Sequence, residues 1–160
     1  MSDEPRLPVL TGRAWRFADR LRAHDVLPAH AADRAPAEAT ALLFAGLDPS
    51  LAALLAPGDV LVAGQLLGLG PGGELAARAL RAAGVVAAVA ASFADGFDDA
   101  LLAAGVPPLE VDAPATFVTG HRLRLDLEAG TIADLSSGDR QPVRNLSDAR
   151  RARLRTLLGG

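Results

Sequence analysis

The spacing of apolar residues changes period several times along this chain, and each change marks an element. Gly12–Phe17 (GRAWRF) alternates between the two kinds of residue, the period-two pattern of a strand with one face covered. Residues 1–11 before it are polar or interrupted by proline and read as a loose start. Residues 18–28 (ADRLRAHDVLP) lose the alternation and read as a loop ending at Pro28. Residues 29–39 hold few large apolar side chains and lead, past Pro36, into a helix expected over Ala37–Ala45 with Gly46 as its stop. DPSLAALLAPG then predicts a second short helix, with Asp48 as cap, Pro49 at its first position and Gly58 beyond its end.

The centre of the chain is more regular. Asp59–Leu67 (DVLVAGQLL) is mostly apolar, as a strand buried on both faces requires. Gly73–Gly84 (GELAARALRAAG) puts Leu75, Ala79, Leu80 and Ala83 on one helical face and stops at Gly84. Val85–Ser92 (VVAAVAAS) is a second buried strand. Strand, tight loop, helix, strand makes a βαβ unit whose two strands run parallel. Asp95–Gly105 predicts a further helix and Val106–Asp112 a further strand. His121–Leu135 alternates on both sides of Glu128-Ala-Gly130 and so predicts a hairpin. Asn145–Gly160 closes the chain as a helix and tail, capped by Ser147, with Leu154, Leu157 and Leu158 facing inward. The elements add up to an α/β fold, a mixed sheet with a central parallel βαβ and flanking helices. The 160 residues contain no linker or repeat that would split them into more than one domain.

Composition removes several function classes. A net charge of −3 does not favour general nucleic-acid binding, which needs clustered positive charge. The chain has no cysteine, which excludes disulfides, thiolate catalysis and any iron–sulfur cluster held by this chain alone. MSDEPRLPVL has no apolar core of a secretory signal, and Val85–Ala94 is too short to span a bilayer, so no membrane role is expected and the cytoplasm is the default location.

Candidate chemistry centres on the loop Gly68-Leu-Gly-Pro-Gly-Gly73, which formally matches G-x-G-x-x-G between a strand and a helix. Three features argue against a dinucleotide. Pro71 removes an N–H from the cradle, no second mononucleotide half follows, and Asp95, Asp98 and Asp99 fall at a helix start rather than at a strand tip. A glycine-rich turn that permits positive φ is the simpler reading, with backbone amides able to attract a small anion. His24, His30 and His121 have no metal-binding spacing. His24 and His30 stand in a loop where either can touch a ligand, and His121 reads as a surface residue. The acids at 95, 98 and 99 suit a first helical turn. Arg150, Arg151, Arg153 and Arg155 read as a solvated basic helix surface, of use for docking an acidic partner.

Several ordered blocks together carry a resemblance. GRAWRFADRL followed by VLP, PGDVLVAGQLLGLG, then Glu74, AARALRAAGVVAAVAASFADGF, AAGVPPLEVD and LRLDLEAGTI resemble, in that order, the small subunit of isopropylmalate dehydratase and homoaconitase, the swivel domain of the aconitase superfamily. The resemblance covers nearly the whole chain. It implies a swivel-like β/β/α fold and a place in a two-part hydro-lyase of leucine or lysine biosynthesis. In that family a large subunit carries a [4Fe–4S] cluster that activates a hydroxyl of a di- or tricarboxylate, and the small subunit closes over it. The implied partner is such a large subunit; a second copy of the chain and a small carboxylate or other anion are further candidates.

The family's loop follows the pattern G-x-G-S-S-R-E, in which the first serine is the base and the arginine pairs with a substrate carboxylate. Gly68, Gly70 and Glu74 match, but the serines fall on Pro71 and Gly72 and the arginine on Gly73. The family's D-N-I-D-T-D keeps its first acid as Asp19, while Arg22 and His24 replace the later two. In S-F-A-R-I-F-x-R-N two arginines become Asp95 and Asp99. The segment after Pro28, where the family chooses among substrate side groups, is only Ala29-His30-Ala31-Ala32. The apolar patterns and turn glycines stay intact, so the chain is expected to fold while lacking normal dehydratase chemistry. A noncatalytic binding or regulatory module is the alternative, and chemistry relocated to Arg22, His24, His30 or Asp98 is a third.

Overall fold

In the computed structural model, which describes residues 6–158, β1 (Val9–Arg16) is the middle strand of a seven-stranded sheet. On one side lie β2 (Val60–Val62), β3 (Ala87–Ala90) and β4 (Pro108–Glu110), all parallel to it. On the other lie the antiparallel strands β5 (Arg122–Asp126), β6 (Thr131–Asp134) and β7 (Arg140–Pro142). The order is β4-β3-β2-β1-β5-β6-β7. Six helices accompany it among the described residues: α1 (Ala23–Val26), α2 (Pro36–Ala39), α3 (Leu51–Leu54), α4 (Gly73–Ala82), α5 (Phe97–Ala104) and α6 (Asp148–Leu158).

The two ends of the sheet meet. Arg144 donates its backbone N–H to the Glu110 carbonyl at 2.8 Å. The Asn145 amide takes the place of a strand: its Oδ1 accepts from Glu110 N at 2.9 Å and its Nδ2 donates to the Pro108 carbonyl at 3.0 Å. Gln141 does the same for Ala113, accepting from its N at 2.8 Å and donating to its O at 2.7 Å. The sheet is thus curled, and side-chain amides satisfy the edge of β4 that would otherwise invite another strand.

Curling gives the sheet an inner and an outer face, and the parallel strands bury both. Val60 and Val62 face an inner core with Val89, Leu109, Leu123, Leu125 and Ile132, while Leu61 faces an outer core with Leu80, Leu101 and Phe44. This is why Val-Leu-Val reads as a continuous apolar run. β5 buries only one face, so Leu123 and Leu125 point inward and Arg122 and Arg124 outward. Asp59, buried at the start of β2, accepts on Oδ2 from Arg13 Nη2 at 3.0 Å, Trp15 Nε1 at 2.7 Å and Ala56 N at 2.8 Å. Those bonds lock β1 to β2 and compensate the buried carboxylate.

The α/β class, the parallel β2-α4-β3 unit and the hairpin all stand as the pattern predicts. Several details differ. The strand begins at Val9, inside the stretch expected to be loose, because Val9–Arg13 pair with Arg122–Asp126. Residues 23–26 form α1, where a loop was expected. The helix expected over Ala37–Ala45 is α2 followed by one 3₁₀ turn, Thr40–Leu42, and Phe44 then adopts a left-handed φ of 60°. Asp48 does not cap α3. Its Oδ1 accepts from Ser50 N and Oγ at 2.9 and 2.7 Å, a local turn that delays the helix to Leu51. β2 stops at Val62, since Leu66 is left-handed at φ 56°. The buried face of α4 is Ala76, Ala77, Ala79 and Leu80, with Leu75 and Ala83 half-buried. β7 was not foreseen. Leu154 is buried on α6 as expected, whereas Leu157 is exposed. The tail at 159–160 and residues 1–5 lie outside the described residues. Among those described, no helix is long and apolar enough to cross a membrane.

Candidate functional site

The strand-to-helix loop after β2 is held from two sides. On one side Leu66 N donates to Ser92 Oγ at 2.9 Å, Leu67 N to the Ser92 carbonyl at 3.1 Å, and Ala94 N returns to the Leu67 carbonyl at 2.9 Å. On the other, Gly68 N donates to the Leu21 carbonyl at 2.7 Å and Ala23 N to the Leu69 carbonyl at 2.8 Å. The loop therefore lies between segment 21–23, which ends in α1, and segment 92–94, which leads to α5. Asp19 supports its start, with Oδ1 accepting from Gln65 N at 2.8 Å.

Within this frame the backbone is set for glycine. Gly68, Gly70 and Gly72 have φ of 94°, 83° and 94°, a region that costs an L-residue with a side chain about 1–2 kcal/mol. Space is short as well. A Cβ on Gly68 would run into the Phe97 ring, and one on Gly73 would stand 3.1 Å from Phe97 Cδ1. A Cβ on Gly72 would stand 2.7 Å from His24 Nε2. Gly72 is also the N-cap of α4, and no side chain caps that helix. Pro71 and Glu74 are exposed.

The structure brings together some of the predicted residues and separates others. His24, half-buried on α1, packs its ring against Gly72. Arg22 places Nη2 and Nε 3.7 and 3.9 Å from where a Cβ on Gly70 would be. His30 is exposed on the single turn Ala29–Ala31 and makes no hydrogen bond or ion pair among the described residues. Asp98 turns away and pairs with Arg150 Nη2 at 3.5 Å.

The arginines of α6 are not a plain solvated surface. Arg150 holds Asp98, Arg151 donates to the carbonyls of Leu127 and Leu146, and Arg155 pairs with Glu128 at 3.2 Å. Backbone donation from Leu7 is the main reason the Glu128 carboxyl lies below its ordinary range, and Arg155 adds to it against the cost of burial. His121 is likewise not a lone surface residue. Its Nδ1 lies 2.7 Å from Oδ2 of the buried Asp134. Burial pushes that carboxyl up, but donation from His121, Ser136 and Ser137 outweighs it and holds the group below its ordinary value.

Beside the loop a cleft of about 560 Å³ opens at the carboxyl ends of β1, β2 and β3, lined by Arg16, Asp19, Gln65, Asp112 and Pro114 among others. Crevices at strand ends are where open α/β sheets take ligands. Arg144 braces its rim, donating to the Ala91 carbonyl and to Asp112 Oδ1 at 2.9 Å. Sequence reasoning missed Arg144, because a lone arginine ahead of a helix cap carries no spacing signal.

The fold and the sequence are shared with known proteins. Residues 56–114 match the aconitase C-terminal domain family. The chain is 34% identical to a 3-isopropylmalate dehydratase small subunit of Nautilia profundicola over 81% of this chain and 79% of that one. It is 37% identical to a homoaconitase small subunit of Thermus thermophilus, with 75% and 76% covered. The chain belongs to the family of isopropylmalate dehydratase and homoaconitase small subunits. The crystal structure of a 3-isopropylmalate dehydratase protein from Methanocaldococcus jannaschii superposes with a TM-score of 0.86 at 25% identity, covering 92% of this chain and 88% of that one. In this small-subunit fold, the held loop is the one on which the resemblance places the G-x-G-S-S-R-E pattern, and here its positions 71–73 are Pro-Gly-Gly.

Proposed function

We propose that this chain is the small-subunit partner of a 3-isopropylmalate dehydratase or homoaconitase-type hydro-lyase, or a descendant of one, whose loop no longer supplies the base and the carboxylate-binding arginine. One observation carries the loss. The volume that a side chain at position 72 needs is filled by His24, and the backbone there has a φ of 94°. Three exchanged letters can arise by drift, whereas a facing histidine packed against Gly72 supports the reading of a loop adapted to its sequence. Proline at 71 offers neither a proton-accepting side chain nor an N–H, and glycine at 73 cannot clamp a carboxylate. Loss of a positioned base alone is worth about 10²–10⁴-fold in rate.

The residues of this chain do not fit the family's [4Fe–4S] cluster. The chain has no cysteine, and among the described residues no group of three or more His, Asp and Glu is placed to hold a metal ion. In the proposed complex the cluster is carried by the large subunit. The packed loop also favours the second reading, a noncatalytic binding or regulatory module derived from such a subunit. Co-expression with a cluster-bearing large subunit from the same organism, followed by size-exclusion chromatography, tests the partnership. A stoichiometric complex is expected. A chain recovered only by itself, with the large subunit folded and loaded, would overturn it.

A further inference from the structure

We propose that Arg22 and His24 form an oxyanion site over the Gly70–Gly73 loop, one that takes a single carboxylate or phosphate group of a small molecule. The two residues flank Ala23, which is buried and tied to the Leu69 carbonyl at 2.8 Å. Both side chains reach the same short loop. Arg22 Nη2 and Nε stand 3.7 and 3.9 Å from the Cβ position of Gly70, and His24 Nε2 stands 2.7 Å from that of Gly72. The α-carbons of residues 70 and 72 are at most about 7.6 Å apart, so both heads stand against one three-residue stretch of the loop.

Nothing on the loop itself competes for the anion between them. Gly70, Gly72 and Gly73 have no side chain and that of Pro71 is apolar. Arg22 makes no ion pair among the described residues. Asp25, one residue beyond His24, accepts the Arg22 backbone N–H on Oδ2 at 2.9 Å and makes no ion pair with the Arg22 head among the described residues. Glu74 is the loop's own acid and is exposed at the start of α4. The segment is held in register by the parallel bridge between Arg22 and Leu69, so the two heads start from a fixed backbone and less ordering is needed on binding. A guanidinium presents paired N–H groups that match two oxygens of a carboxylate or phosphate. The half-buried imidazole of His24, against Gly72, is the second group of the proposed site.

This site goes beyond the proposed partnership and needs no large subunit, so the two fail separately. The chain has three histidines, His24, His30 and His121, which makes imidazole NMR a residue-specific readout. The full chain, labelled with ¹⁵N-histidine, is titrated with succinate and separately with inorganic phosphate at matched ionic strength. The His24 nitrogens are expected to shift saturably while those of His30 and His121 stay in place. Arg22→Gln, at an exposed position, is expected to weaken binding by about tenfold or more through loss of the charged pair. A response to succinate alone assigns the site to carboxylates, and a response to phosphate alone assigns it to phosphates. If neither anion moves His24, if all three histidines move together, or if Arg22→Gln binds as tightly as the unaltered chain, the site does not exist.

Discussion

His24 Nε2 stands 2.7 Å from the point that a Cβ on Gly72 would occupy, so these two residues share one space. Position 72 can carry a side chain only if position 24 gives way. Gly72→Ala is expected to destabilise the chain by about 1–2 kcal/mol from its φ of 94° alone, with the contact added. His24→Ala should remove the contact but not the backbone strain. A urea double-mutant cycle is therefore expected to give a coupling of at least about 0.5 kcal/mol between them. Strict additivity would show that His24 is free to leave.

Asp134 makes acid sensitivity a second expectation. Its carboxyl is held below the ordinary value of 3.8, with burial opposed by the bonds from His121, Ser136 and Ser137. A depressed carboxyl contributes stability that is complete above the unfolded value and is lost as pH falls through the folded one. His121→Ala removes one of these bonds, so the pKa of Asp134 rises and the acid limb of unfolding moves to higher pH. The loss near neutrality is expected to be about 1.5–3 kcal/mol. Thermal unfolding followed as a function of pH reads both, and an unmoved acid limb would contradict the pairing.

Asn145 closes the sheet with its side chain. Asn145→Ala leaves Glu110 N without its acceptor at the edge of β4, at a cost of about 1 kcal/mol. Faster hydrogen exchange at the Glu110 amide is expected, with the far strands β5 and β6 unaffected. Unchanged protection there would mean that the backbone of β4 is satisfied some other way.

Much of the fold was legible in sequence because its signals are local. The apolar runs of β2 and β3 around the glycine-bounded α4, and the alternation either side of Gly130, each follow from the residues within one element. What was illegible depends on residues far apart in the chain. Val9 joins β1 only because Asp126 is its partner. β7 is three residues, Arg-Gln-Pro, with no apolar pattern, and exists through Ile132 and its neighbours. Arg150, Arg151 and Arg155 look like solvated charge until Asp98, the Leu127 carbonyl and Glu128 are placed beside them. The site divides in the same way. The emptied loop is visible as Pro71-Gly72-Gly73, while the approach of His24 and Arg22 to it depends on the bridge between Arg22 and Leu69.

On the proposed reading the small-subunit scaffold persists while its loop chemistry does not, and turnover separates the two. The chain is combined with a cluster-loaded large subunit, and dehydratase kcat/KM is measured beside a variant carrying Pro71→Ser, Gly72→Ser and Gly73→Arg together with Arg22→Asp and His24→Asp to reopen the space. The unaltered chain is expected to be slower by about 10²-fold or more, the contribution of a positioned base. Turnover by the unaltered chain equal to that of the restored loop would contradict the claim.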